Sequence, residues 1–214
     1  MESPTGTGKT VGVLAPLLEH AERAEHRIVY LVRTHAQEQQ VLRECRAISH
    51  RSEHPFLALG LAGRQSRCFL LEGVEGIGSA TAEEYGHLCA DRKRATERGL
   101  SSEQLLRPPS DLPAASAVDL ADLDGCPYYA RVLQSELEPI VERFGQKLPT
   151  NSEFEAHCRE ENLCPYELSK LLARKARLVT APYAFFFHPF VRTTLLSWLG
   201  VGVDQVDLVV DEAH

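Results

Sequence analysis

The stretch that most constrains this chain is its first ten residues. Ser3-Pro4-Thr5-Gly6-Thr7-Gly8-Lys9-Thr10 has the spacing of a P-loop, with Ser3 where the strict pattern has its first glycine. A polyphosphate needs many donors converging on a small volume. Gly6 and Gly8 allow the backbone to curl so that successive N–H groups, including those of Thr5 and Thr7, point inward. The loop opens a helix whose positive end faces the anion. Lys9 is expected against the β/γ oxygens, and the Thr10 hydroxyl on Mg²⁺. The competing reading is a Gly/Thr-rich turn ahead of an ordinary helix.

The other end of the chain bears on that choice. Val206-Asp207-Leu208-Val209-Val210 is an apolar run closed by Asp211-Glu212-Ala213-His214. A strand ending in Asp-Glu is the second half of a nucleotide-hydrolysing site. Asp211 would hold Mg²⁺ through water, and Glu212 would orient and activate the attacking water. Alone, the tetrapeptide also reads as a charged strand end. Together with the first ten residues it predicts an ATP-hydrolysing domain with catalytic Lys9, Asp211 and Glu212.

Between these ends the pattern is α/β and then changes. A helix is predicted from Lys9 to about Glu22, with Val11, Leu14, Leu17 and Leu18 on one face and a kink at Pro16. Arg27 to Val32 reads as a strand of a parallel sheet covered on both faces. Thr34 with Gln37 three residues on is a capping box, so a second helix is expected from about His35 to Ile48. From about Leu57 to Lys175 strand signals largely vanish. This stretch holds Cys68, Cys89, Cys126, Cys158 and Cys164, and the basic cluster Arg92-Lys93-Arg94 with Arg98. Residues 107–124 read as linker. Helices are expected at 127–144, broken at Pro139, at 152–162 and at 165–176. Strands at 177–181 and 207–210 flank a helix at 190–199 closed by Gly200.

Net charge is −7, so a nucleic-acid partner must be met by a local basic patch. No apolar run approaches the ~20 residues of a membrane span, and no signal peptide precedes the P-loop. The expectation is therefore an intracellular protein without membrane contact, cytoplasmic if prokaryotic and nuclear if eukaryotic. Only Met1 and Glu2 precede Ser3, and the chain stops at the catalytic strand, so a piece of a longer protein is expected. Six cysteines in a reducing compartment point to burial or metal, not to disulfides. Cys126-Pro127-Tyr128 and Cys164-Pro165-Tyr166 place each thiol at a helix N-cap, where the dipole favours the thiolate. The spacing contains no C-x-x-C pair and by itself favours buried free cysteines.

The order of four features resembles the XPD-like DNA helicases of superfamily two: the P-loop, Arg33-Thr34-His35-x-Gln37 after the second strand, spread cysteines ending in Cys164-Pro165-Tyr166-Glu167, and Asp211-Glu212-Ala213-His214. The resemblance covers essentially the whole chain. It implies an α/β fold, an incomplete P-loop RecA-like parallel sheet with an inserted, mostly helical iron–sulfur subdomain. The segments are 1–56 (motor), 57–175 (insertion) and 176–214 (motor). It implies ATP, Mg²⁺ and a [4Fe–4S] cluster on Cys68, Cys89, Cys126 and Cys164, with Cys45 and Cys158 structural. It implies single-stranded or forked DNA as partner, contacted by Arg33, Thr34, His35, Gln37 and Arg64, the last beside the cluster. Phe69, Tyr128, Tyr129 and Tyr166 could stack on bases or pack the insertion. By the same resemblance His214 links the nucleotide to domain closure, translocation runs 5′→3′, and an arch, a second motor domain and an arginine finger complete the machine. The alternatives are a bacterial damage-inducible iron–sulfur helicase and an inactive nucleic-acid- or metal-binding module.

Overall fold

The computed structural model describes residues 9–72, 80–99 and 125–212. Residues 3–8 of the P-loop, the linker-like stretch 107–124, and Ala213 and His214 lie outside them. The chain divides into two compact units. The first comprises residues 1–61, 140–153 and 169–214, and the second residues 62–139 and 154–168. The insertion expected at 57–175 corresponds to a smaller unit, because residues 57–61, 140–153 and 169–175 group with the sheet.

The first unit is a four-stranded parallel sheet in the order β2-β3-β1-β4. The strands are β1 (Arg27–Val32), β2 (Ala58–Gly60), β3 (Leu178–Pro182) and β4 (Val206–Val210). Ile28 stands opposite both Leu178 and Asp207. β1 lies in the middle, and Ile28 to Val32 are all buried. This explains its unbroken apolar sequence: a strand covered on both faces has no polar side to show.

Helix α1 (Lys9–Ala24) buries Leu14, Leu18 and Ala21, whereas Val11 is exposed. Helix α2 (His35–Ser49) begins at the expected capping box. Gln37 N–H donates to Thr34 Oγ1 at 3.3 Å, and Gln37 Oε1 accepts the Thr34 N–H at 3.0 Å. Its inner face carries Val41, Leu42 and Cys45. Each such fully buried aliphatic side chain contributes about 1.5–3 kcal/mol. The buried Glu38 accepts a hydrogen bond from Thr180 Oγ1 at 3.1 Å, which ties α2 to β3 through a polar contact. Near the C-terminus, Gly200 (φ +71°) closes the helix Pro189–Leu199 as predicted. In the Phe185–Phe187 run, Phe185 and Phe186 are buried and Phe187 is exposed.

The second unit is helical. α3 (Ala82–Gly99) was not predicted; α4 spans Pro127–Gln134. Parts of α5 (Leu137–Lys147), α6 (Asn151–Glu160) and α7 (Pro165–Ala173) complete it. The expected break at Pro139 lies earlier, at Ser135 and Glu136. Pro139 is the third residue of α5, inside the first turn, where the missing N–H has no helical partner to lose. Arg67 is fully buried, with its guanidinium over the Phe154 ring at 5.3 Å and its Nε 3.4 Å from Glu155 Oε1. A unit that buries a guanidinium in this way has little aliphatic core to spare.

Candidate functional site

In the first unit, Thr10, Asp211 and Glu212 are the predicted nucleotide residues whose side chains lie among the described residues. Tyr30, fourth in β1, is buried beneath the start of α1. The Thr10 side chain and the Asp211 carboxylate both lie near enough to act on its hydroxyl. Burial, and then that negative charge, push the phenol up to about 12. The Asp211 N–H donates to Leu31 O at 3.1 Å, extending the β1–β4 ladder one step beyond β4. The Tyr183 hydroxyl donates to the Asp211 carbonyl and lies 3.4 Å from that of Glu212, whose φ is +50°. The buried Tyr30 phenol thus lies near both Thr10 and Asp211, the expected Mg²⁺ pair. Tyr30 and Tyr183 had no signal in the sequence beyond lying near strand ends.

The Arg-Thr-His segment follows β1 at the same end. Gln37 Oε1 accepts from the Arg33 and Thr34 N–H groups, so the oxygens of Thr34 and Gln37 are engaged in capping α2. The Arg33 and His35 side chains are exposed, with His35 Nδ1 3.4 Å from Glu38 Oε2. Thr34 is exposed as well and Gln37 half-buried, but their oxygens are taken up by the cap, so Arg33 and His35 are the two whose side chains are exposed and not part of it.

In the second unit, Cys68, Cys89, Cys126 and Cys164 line one small cavity. Each comes from a different local structure. Cys68 ends the 3₁₀ turn Gln65–Arg67, and Cys89 sits in the middle of α3. Cys126 caps α4, and the Cys164 carbonyl accepts the first bond of α7, from Leu168 N–H at 2.9 Å. The α7 cap is pinned to α4 by Cys164 N–H donating to Tyr128 O at 3.0 Å. Cys126 is fixed by its own N–H, which donates to Thr96 Oγ1 at 2.7 Å. Cys45 and Cys158 are fully buried and do not line the cavity; burial raises both thiols, that of Cys45 to about 12.

The thiols are not lowered as the N-cap argument expected. Burial dominates and raises Cys126, although the N–H groups of Tyr129 and Tyr128 oppose it. It takes Cys164 to about 12 against the N–H groups of Glu167 and Tyr166. Cys89 is also raised by burial, with Arg64 and Lys93 pulling the other way. The dipole acts in the predicted direction and is outweighed by desolvation. Four such thiols become thiolates when a cationic centre takes up their charge.

The cavity rim is cationic. Arg64 lies 4.9 Å over the Tyr166 ring, with Nη2 3.5 Å from the Tyr166 hydroxyl. Lys93 pairs with Glu167 at 3.0 Å and lies over the Tyr129 ring at 4.6 Å, and the Tyr129 hydroxyl donates to Glu97 at 2.7 Å. Arg92 and Arg67 also line it. The basic cluster was expected to neutralise phosphates. Two of its members instead face inward, because helical spacing puts Arg92 and Lys93 near the Cys89 side of α3, and Arg94 pairs with Asp91. Phe69 packs edge-on against Tyr128 at 5.5 Å, and Tyr129 and Tyr166 are buried, so these rings pack the unit.

The donor set can also be compared with a single ion. Tetrahedral zinc at about 2.3 Å from each sulfur needs sulfur–sulfur edges of about 3.8 Å. Among the described residues, the one set of three or more Cys, His, Asp or Glu donors lying within 4.8 Å of one another is His20, His26 and Asp207. No three of the four thiols lie that close together among the described residues.

Comparison with known proteins gives the same picture. The DEAD_2 family model matches residues 30–214. Over 222 residues the chain is 23% identical to the general transcription and DNA repair factor IIH helicase subunit XPD/RAD3 of Saccharomyces cerevisiae. It is 32% identical over 223 residues to the XPD subunit of Schizosaccharomyces pombe. In both cases all of this chain and 26% of the relative are covered. The ATP-dependent DNA helicase DDX11 of Mus musculus is 23% identical over 188 residues, covering 88% of this chain and 18% of that protein. The chain thus spans about a quarter or less of the length of these relatives. No described helix is long and apolar enough to cross a membrane.

Proposed function

The chain belongs to the DEAD_2 family, and on that premise we propose that it is the ATP-binding, cluster-bearing part of an XPD-type DNA helicase that translocates 5′→3′ on single-stranded or forked DNA. The observation that carries this reading is the gathering of four sequence-distant cysteines around one cavity, with Cys45 and Cys158 left out of it. A domain that hydrolysed ATP without a metal centre would have no use for that arrangement.

The residues divide the work by position. Lys9 and the N–H groups of residues 5–10 would bind the ATP phosphates. Thr10 and Asp211 would hold Mg²⁺, with the buried Tyr30 hydroxyl near both. Glu212 would orient the attacking water, its carbonyl held by Tyr183. Arg33 and His35, exposed beyond β1, would meet the phosphates of the strand. Cys68, Cys89, Cys126 and Cys164 would hold a [4Fe–4S] cluster, which when bound supplies a rigid cross-link among segments too polar to pack alone. Arg64, Arg92 and Lys93 would balance the negative charge of the four thiolates.

The test is turnover in the full-length protein. Lys9→Ala should abolish DNA-stimulated ATP hydrolysis while iron and sulfide stay at wild-type levels. Hydrolysis at the wild-type rate in that variant overturns the nucleotide assignment.

A further inference from the structure

Away from both of those sites, the starting ends of β1 and β4 carry a second set of metal donors. We propose that His20, His26 and Asp207 form a divalent-metal site of the zinc type, which ties the last turns of α1 to the sheet. His20 lies in α1 one turn before its end, and His26 immediately precedes β1. Asp207 is the second residue of β4, opposite Ile28. Parallel pairing of β1 with β4 brings the three together.

The distances are those of ligands around an ion. Asp207 Oδ1 is 3.1 Å from His26 Nδ1 and 3.7 Å from His20 Nε2, and the three donor atoms all lie within 4.8 Å of one another. Metal–nitrogen and metal–oxygen bonds of about 2.0–2.2 Å give tetrahedral edges of about 3.3–3.6 Å. As a hydrogen bond the 3.7 Å contact is too long. The two rings stand edge to face at 5.6 Å, so both nitrogens can approach one oxygen from different directions. The other carboxylate oxygen, Asp207 Oδ2, is buried and has no hydrogen-bond partner among the described residues, a state that a native structure leaves to few groups. An ion shared by both oxygens would satisfy it.

The neighbouring charges select the kind of ion. Arg27 lies beside His26 in sequence, and Arg177 donates to the Ala21 and His26 carbonyls at 2.9 and 3.2 Å. Two guanidiniums oppose a site held by charge alone, as Mg²⁺ and Ca²⁺ require. Directional imidazole ligands suit Zn²⁺, Ni²⁺ or Cu²⁺ instead. The His20 side chain is 59% exposed, which leaves water access to the fourth position. This end of the strands is opposite the one bearing Asp211. The ion would therefore brace the far end of the helix that follows the P-loop, without entering the nucleotide chemistry.

The experiment uses the full chain dialysed free of loosely held metal and titrated with Zn²⁺ alone. Wild type should take up one equivalent beyond whatever the cysteines hold, with a rise in Tm. His20→Ala, a change at an exposed side chain, should keep the metal-free Tm and bind that equivalent at least tenfold more weakly. Asp207→Asn should lose it as well. Co²⁺ in place of Zn²⁺ should add visible ligand-field bands without further thiolate charge transfer, which separates this site from the cysteines. No uptake beyond the cysteines, or equal uptake by wild type and His20→Ala, overturns the proposal.

Discussion

Gly125→Ala should disable the metal centre without touching a thiol. A Cβ at position 125 would lie 2.5 Å from Thr96 Oγ1 and 3.0 Å from the Thr96 backbone N and Cα. Backbone cannot swing aside as a flexible side-chain end can, and Thr96 is fully buried in α3. Relief requires the 125–126 segment to withdraw from α3. That movement breaks the Thr96 Oγ1–Cys126 N–H bond and carries Cys126 out of line with the cavity. Overpacking costs about 1–3 kcal/mol, and an unsatisfied buried N–H a further ~1–3 kcal/mol. The sum, ~2–6 kcal/mol, corresponds to a fall in Tm on the order of 10 °C for a chain of this size. Thr96→Val removes the hydroxyl at constant shape and should cost only the second part. Because Gly125 and Thr96 touch, the double variant should cost less than the two single changes added together. The assays are thermal unfolding and iron and sulfide content after anaerobic purification. Wild-type Tm and wild-type iron in Gly125→Ala would refute the claim that Cys126 is held in place by its contact with α3.

Other consequences follow from the first unit. Tyr30→Phe removes the buried hydroxyl near Thr10 and Asp211, and losing a polar contact worth about 1 kcal/mol should raise KM for Mg·ATP in the full-length protein roughly fivefold while Tm changes little; an unchanged KM would show that the phenol does not position the pair. Arg33→Ala should weaken single-strand binding equally for all sequences and lower the salt slope by ~0.7 per lost phosphate contact; a loss confined to one sequence would mark a base contact instead. Glu153, hydrogen-bonded by Arg46 and by the Thr150 N–H and hydroxyl, is pulled down to about 2. A depressed carboxyl stabilises the fold above its ordinary range near 4.5 and loses that contribution as pH falls toward 2. The Glu153 side chain is half exposed, so solvent screening holds the effect to about 1 kcal/mol or less. Unfolding free energies of wild type and Arg46→Met, measured by denaturant at a series of pH values, should therefore differ most above pH 5 and converge toward pH 2, and parallel curves across that range would refute the pairing.

What was legible in the sequence was what is local or repetitive. The apolar run Arg27–Val32 could only be a strand covered on both faces, and Thr34 with Gln37 could only cap a helix, because each signal sits within a few residues. α3 carries no aliphatic periodicity to announce it. Its inward positions, Tyr85, Cys89, Lys93 and Thr96, recur at helical spacing but are not aliphatic: Cys89 and Lys93 line the cysteine cavity, and Tyr85 and Thr96 are buried. β2 is three residues long and gains its place only by pairing with β3. Arg67 is buried against Phe154 and Glu155, and nothing nearby in sequence announces a buried cation. Tyr30 and Asp207 acquire their roles from the β1–β4 register, which joins residues at opposite ends of the chain. The four cavity cysteines could be selected by resemblance to known helicases, whereas their spacing alone favoured inert thiols.

The central claim, that Cys68, Cys89, Cys126 and Cys164 together hold an iron–sulfur cluster, is tested most directly by metal and sulfide analysis of the anaerobically purified chain. The account predicts a brown protein with iron and acid-labile sulfide in equal amounts. Serine at any of the four positions should bleach it, and Cys45→Ala and Cys158→Ala should leave the colour unchanged. A colourless protein whose four cysteines hold one zinc and no sulfide, or a bleached Cys158→Ala, would contradict it.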